Sequence, residues 1–199
     1  MNNIRPLVFA NSLHGFHVHA TDGPVGKIDD FYFSDESWKI RHAVVDLGSW
    51  LPGRRVLLSP DILGHADWRK KFIEAQAGKM SIQANLKAET VPPETILTKD
   101  PHLLSVRIMK ECSIVDERHE YQGRVNDLLI DTDTWDIRFI FIKTLYDSRL
   151  FLVSPSTVFA IDTGNRRITI RHYDEMKTEW HEYDPHYMAM FEMQEQQDA

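Results

Sequence analysis

Short runs in which apolar and polar residues nearly alternate, each closed by a cluster of turn-forming residues, make up most of this chain. Residues 25–33 and 38–46 are rich in β-branched and aromatic residues, with Ser34-Asp35-Glu36-Ser37 between them. Small polar side chains of this kind hydrogen-bond to nearby backbone and favour turns, so the pair reads as a β-hairpin. Residues 122–130 and 135–143 repeat the pattern around Asp131-Thr132-Asp133-Thr134. Residues 54–58 and 149–153 read as a further strand in each half, stopped by Ser-Pro because proline cannot donate to a ladder. Residues 15–20 and 112–117 supply a leading strand, and 166–172 alternates cleanly after Thr163-Gly164-Asn165. Five or six short strands at close spacing, with little helix, predict a small barrel or a strongly bent sheet in each half.

The two halves also match residue by residue. Sliding the chain on itself by 97 positions places Gly26-Lys-Ile-Asp-Asp30 on Gly123-Arg-Val-Asn-Asp127, and Trp38-Lys-Ile-Arg41 on Trp135-Asp-Ile-Arg138. After a two-residue deletion, Arg54 meets Arg149, and Ser59-Pro60 meets Ser154-Pro155. Two copies at this period are too few and too long for a solenoid, so a duplicated small domain is the reading. The expected organisation is a first unit at 1–90, a linker at 91–103 around Val91-Pro92-Pro93, a second unit at 104–182 and a C-terminal tail at 183–199. In that tail Tyr187, Met188, Met190, Phe191 and Met193 offer apolar contacts. Pairing Leu63 with Val158 and Ile82 with Ile170 makes the first copy seven residues longer over 64–78. Asp67 at a plausible N-cap and Gly78 at the end suggest a short helix there, with an elongated hairpin as the alternative.

If the hairpin turns are symmetric, Asp30 faces Arg41 across the strands and Asp127 faces Arg138. Such opposed charges favour a register by a few tenths to about 1 kcal/mol. Gly26, Asp30, Trp38 and Arg41, with Gly123, Asp127, Trp135 and Arg138, therefore read as scaffold. The glycines mark a strand bend or a close backbone approach, the tryptophans cap each unit, and the paired carboxylates are clamps rather than catalysts.

Composition narrows the function classes. The chain has 199 residues, 42% of them apolar and 27% charged, as in ordinary folded proteins. Its net charge of −7 argues against a broad phosphate-binding surface, leaving Arg54-Arg55 and Arg69-Lys70-Lys71 as the visible basic patches. A single cysteine, Cys112, excludes an internal disulfide and fits a reducing compartment. With no stretch approaching 18 apolar residues and no signal-like start, the expectation is a soluble, cytoplasmic protein without a membrane span.

Candidate chemistry is thin. His17 and His19 share a strand face and His14 lies close in sequence, but two ligands without a third at metal-site spacing read as surface histidines, and no metal is assigned. Gly23 and Gly26 are not followed by a phosphate-loop pattern. Cys112 has no CxxC partner and reads as a small buried hydrophobe. No catalytic residue and no cofactor follow from the sequence. Trp50-Leu51-Pro52-Gly53, an apolar aromatic loop with no counterpart in the second copy, is the candidate partner contact.

Residues 15–31 (Gly-Phe-His-Val-His-Ala-Thr-Asp-Gly-Pro-Val-Gly-Lys-Ile-Asp-Asp-Phe), Trp38-Lys-Ile-Arg41 and Trp50 to Pro60 together resemble the bacterial PRC-barrel proteins of the soluble tandem type. Asp-Gly-x-x-Gly-x-x-x-Asp carries the likeness, with Asp100-Pro-His-Leu103 and Tyr183-Asp-Pro185 in support. The second copy departs from it, with His119-Glu120 in place of Asp22-Gly23 and Leu145-Tyr-Asp-Ser148 in place of the Trp-Leu-Pro-Gly loop. The resemblance implies two tandem small β-barrel units, mainly β, related to the cytoplasmic part of the photosynthetic reaction-centre H subunit and to the ribosome maturation factor. Both use the module for protein docking without catalysis. The expectation is a non-catalytic, self-associating protein-binding module whose partner is another protein or a copy of itself, with nucleic acid disfavoured. The alternatives are a ligand- or metal-binding protein or enzyme using a cleft between the units, and a reaction-centre-H-like or ribosome-maturation-like role.

Overall fold

The computed structural model describes residues 7–48, 54–82, 93–145, 148–171 and 180–183. They fold mainly as strands, and the chain divides into two units: Ala10–Arg107, and Met1–Phe9 together with Ile108–Ala199. Helix α2 (Pro93–Lys99) occupies the stretch read as a linker, strand β8 (Leu103–Ser105) runs from its last residue into the start of the expected second unit, and both fall within the first unit.

In the first unit the helical turn α1 (Ala10–Leu13) leads to β2 (His17–Ala20), β3 (Gly23–Ser34), β4 (Lys39–Asp46), β5 (Arg55–Leu58), β6 (Leu63–Asp67) and β7 (Phe72–Ala75). The sheet order is β6-β7-β2-β3-β4-β5, antiparallel except where β2 and β7 run parallel. The long β3 changes partner along its length: Gly23–Lys27 pair with β2, and Tyr32–Ser34 pair with β8. The second unit repeats the scheme with β9 (Ser113–Asp116), β10 (Tyr121–Asp131), β11 (Asp136–Thr144), β12 (Leu150–Val153), β13 (Val158–Asp162) and β14 (Arg167–Ile170). Its order is β13-β14-β9-β10-β11-β12, with β15 (Trp180–Glu182) beyond β12 and β1 (Leu7–Phe9) along the end of β10. The closed barrels expected from the sequence are open sheets.

Ser59 and Ser154 end β5 and β12 alike. Each hydroxyl accepts from the amide two residues on, opening a 3-10 turn that starts at Pro60 or Pro155. The helix expected over 67–78 is instead the β6–β7 hairpin. Asp67 Oδ1 accepts from the Lys70 amide at 2.9 Å, as Asp162 Oδ1 accepts from Asn165 at 2.9 Å in the β13–β14 hairpin. An aspartate that caps its own turn looks the same in sequence whether a helix or a strand follows. Both turns close on a residue of positive φ, Lys71 (52°) and Arg166 (51°). Leu63 pairs with Ala75, and Val158 with Ile170, so Ala75, not Ile82, stands where Ile170 stands and the insertion over 64–78 disappears.

The charge pairs across the hairpins also fail. Asp30 stands opposite Val44, and Asp127 opposite Phe141. Trp38 and Trp135 belong to the turns, in the left-handed region at φ 52° and 59°, their amides donating to Ser34 and Asp131 oxygens. Counting them as strand residues displaces the register. A bulge then leaves Arg41, and in the other unit Arg138, without a partner in the ladder. The exposed Arg41 donates instead to Ser37 Oγ at 3.3 Å. Trp135 is buried, and Trp38 packs on Phe33 with ring centroids 5.5 Å apart. A bulky residue at positive φ is uncommon, and burial of its indole offsets that cost.

Each unit carries an apolar cluster built from equivalent strands. In the first, Tyr32, Val44 and Leu103 pack together with Leu57, under Ile96 and Leu97 of α2. In the second, Leu129 and Phe141 pack with Leu7, Phe9, Leu152 and Tyr183. Fully burying one such side chain contributes about 1.5–3 kcal/mol, so these faces are substantial parts of each fold.

Candidate functional site

A dense polar arrangement lies in the first unit, where β3 bulges at Asp29. The extra residue lets Asp29 and Asp30 serve different partners. Asp29 is reached by Arg55 Nε of β5 at 3.1 Å and by Arg107 Nη2 at 2.9 Å, and His14 Nε2 lies 4.0 Å away. Arg107 Nη2 also donates to the Asp29 carbonyl at 2.8 Å. Asp30 accepts from Ser105 Oγ (2.6 Å), the Phe31 amide (2.8 Å) and the Arg107 amide (3.1 Å). The network ties β3 to β5, to the last residue of β8 and to the helical turn that follows it.

Burial raises the Asp30 pKa above its ordinary value, and the hydrogen bonds from Ser105, Phe31 and Arg107 only partly oppose this. Partial burial works against the Arg107 charge, but the hydrogen bond and attraction of Asp29 outweigh it and its pKa is raised. Chemically this is a cross-brace: one carboxylate between two guanidinium groups, and a second saturated by three donors. Asp30 was legible in sequence. Ser105 and Arg107, more than seventy positions away, gave no local signal, and the expected partner Arg41 is not part of the cluster.

In the second unit the same bulge falls at Asn126, and Leu150 opens β12 where Arg55 opens β5. Asp127 is buried, and its Oδ1 accepts from the Leu128 amide at 2.8 Å. The charged brace is thus a property of the first unit. The second unit has its own carboxylate anchor at Asp116, fully buried, with Oδ1 accepting from the Arg118 and Glu120 amides and Oδ2 from Gln122 Nε2. This rebuilds the turn in which His119-Glu120 replace Asp22-Gly23, with His119 at φ 64°. A PRC-barrel domain occupies residues 103–177.

The PRC-barrel match begins at the first residue of β8 and runs past β14. No curated protein matches the sequence. Within the PRC-barrel domain Gly123 lies where a Cβ would stand 2.3 Å from the Lys143 carbonyl oxygen, and Gly26 of the first unit lies likewise against Asp46 at 2.0 Å. Cys112 is fully buried, its thiol donating to the Ile108 carbonyl at 3.4 Å, and burial pushes its pKa up to about 11.

His17 and His19 lie on β2 with ring centroids 6.5 Å apart, and His19 stacks on Phe72 at 5.0 Å, while His14 is turned to Asp29. Among the described residues no three His, Cys, Asp or Glu side chains converge as a metal site. Trp50, Leu51 and Pro52, the expected partner contact, lie outside the described residues, as does the tail beyond Tyr183. No described helix is long and apolar enough to cross a membrane.

Proposed function

We propose that this chain is a non-catalytic, self-associating protein-binding module composed of two diverged copies of the PRC-barrel unit. The PRC-barrel match over 103–177 carries the reading. The first unit supports the two-copy part, because it has the same strand order, the same turn with a tryptophan at positive φ and the same crowded glycine. The polar groups support the non-catalytic part. Asp30 and Asp127 are engaged with backbone and side-chain donors, and the Cys112 thiol is buried and held protonated.

Docking on protein is supported by what remains exposed. Phe159 is 70% exposed on β13, the outermost strand of its sheet, whose outer side pairs with no strand among the described residues. An edge strand presents unpaired amides and carbonyls that another chain can use. The Trp50-Leu51-Pro52 segment, found in one copy only, adds an apolar aromatic contact of the kind that dominates interfaces. Sedimentation of the purified chain over a range of concentrations tests self-association. The reading expects an oligomer that Trp50→Ser with Leu51→Ser disperses while the circular dichroism stays unchanged. A wild-type chain monomeric at high concentration, or an oligomer indifferent to that variant, overturns it.

A further inference from the structure

The folding units and the sequence copies are out of step. The strand that opens the first half, β1, belongs to the second unit, where Leu7, Val8 and Phe9 pair with Asp131, Ile130 and Leu129 of β10. The strand at the corresponding place in the second half, β8, belongs to the first unit, where Leu103, Leu104 and Ser105 pair with Ser34, Phe33 and Tyr32 of β3. Both donor strands are followed at once by a single helical turn, Ala10–Leu13 or Val106–Met109. The PRC-barrel match starts at Leu103, so the domain as a sequence unit counts β8 as its own. Here that strand lies in the sheet of the other unit, and β1 fills the equivalent place in the second.

We propose that each unit is a strand acceptor whose partner is a second copy of the same module, and that this chain is two copies locked by reciprocal donation of their opening strands. The acceptor is the end of the long central strand beside the hairpin turn. It recognises a three-residue strand, apolar at its first two positions, through backbone pairing and an apolar cluster that the donor completes: Leu103 with Tyr32 and Val44, Leu7 and Phe9 with Leu129 and Phe141. Donation to the first unit is reinforced from both sides of β8. Ile96 and Leu97 of α2 cover the cluster, and Ser105 with the Arg107 amide holds Asp30. The lock rests on reading the two units as copies. It is independent of whether the whole chain self-associates, which the Trp50 and Leu51 variant reads separately.

A nick tests the lock. A protease recognition sequence inserted between Lys87 and Ala88 of the full chain allows cleavage after folding. One fragment then carries β1 and β2–β7, the other α2, β8 and everything that follows. The proposal expects the fragments to co-elute at the volume of the intact chain and to separate only in denaturant. It also expects Phe9→Asp combined with Leu103→Asp to release them without denaturant. Fragments that separate in the wild-type background overturn it, and so does a nicked double variant that stays together. Where the double variant does not fold, amide exchange of intact Phe9→Asp decides. Protection must fall in 121–144 and hold in 23–46, and the opposite pattern, or a uniform loss, overturns the proposal.

Discussion

Gly123 passes beneath the Lys143 carbonyl so closely that a Cβ on it would stand 2.3 Å from the oxygen and 3.0 Å from the Thr144 Cα. The crowding atoms are backbone and part of the β10–β11 ladder, so relief requires the strands to part. Gly26 meets Asp46 and Leu47 in the same way. Gly123→Ala and Gly26→Ala are each expected to lower stability by about 1–3 kcal/mol, the range of overpacked cores. Gly164→Ala, whose Cβ would meet only the Asp162 carboxylate at 3.4 Å, is expected to stay within about 0.5 kcal/mol of wild type. Urea unfolding of the three variants checks the contrast.

His102 and Asp35 join the residue before β8 to the turn after β3. Nδ1 lies 3.1 Å from Asp35 Oδ1, and the Asp35 amide donates to the His102 carbonyl at 3.0 Å. The hydrogen bond with Asp35, and then the Glu36 charge, raise the His102 pKa above the ordinary histidine value. A histidine titration followed by NMR is therefore expected to place His102 above an unperturbed imidazole. Asp35→Asn should move it back down, and Glu36→Gln should move it by less. The folded protein binds this proton more tightly than the unfolded chain does. The small contribution is thus complete below the unfolded pKa and is lost as pH rises through the folded one.

Cys112 supplies a chemical probe of folding. Its side chain is fully buried and its pKa is pushed up to about 11, so at pH 8 almost none is thiolate and none is accessible. A thiol reagent at pH 8 is expected to leave the native chain unmodified for hours and to titrate one thiol per chain at once in urea. Prompt stoichiometric reaction of the native protein would place Cys112 at an accessible site instead.

The β-rich runs, their polar turns and the two Ser-Pro stops were legible in the sequence because each is decided within a few residues. The register was not. It depended on Trp38 and Trp135 adopting positive φ inside the turn, and on bulges at Arg41 and Arg138, neither of which has a sequence mark. The helix read into 67–78 failed because an aspartate caps a hairpin turn as readily as a helix. The polar brace was half legible. Asp30 stood out as a structural carboxylate, but Ser105 and Arg107 reach it only because β8 lies in the first unit's sheet, a placement that nothing local in Leu103–Ser105 announces.

Asp30 gives the clearest pH dependence. Burial raises its pKa, and the hydrogen bonds from Ser105, Phe31 and Arg107, which favour the charged form, offset only part of that rise. The folded state therefore binds the Asp30 proton more tightly than the unfolded chain. This contribution is fully present below the unfolded value of 3.8 and disappears as pH rises through the raised folded value. Asp30→Asn places a neutral isostere among the same partners: its oxygen can accept from the Phe31 and Arg107 amides, and its amide can donate to Ser105 Oγ. Relative to this variant, the wild type should gain stability as pH falls from 7 toward 4, whereas the general loss of stability in acid is common to both and cancels in the difference. Asp30→Ala, which leaves the buried Ser105 hydroxyl and two amides without their acceptor, is expected to cost about 1–3 kcal/mol at all pH values. Urea unfolding at pH 4, 5.5 and 7 for the three proteins separates the two effects. A wild-type minus Asp30→Asn difference that is flat with pH, or that falls in acid, would show that the carboxylate is not held in a site that disfavours its charge.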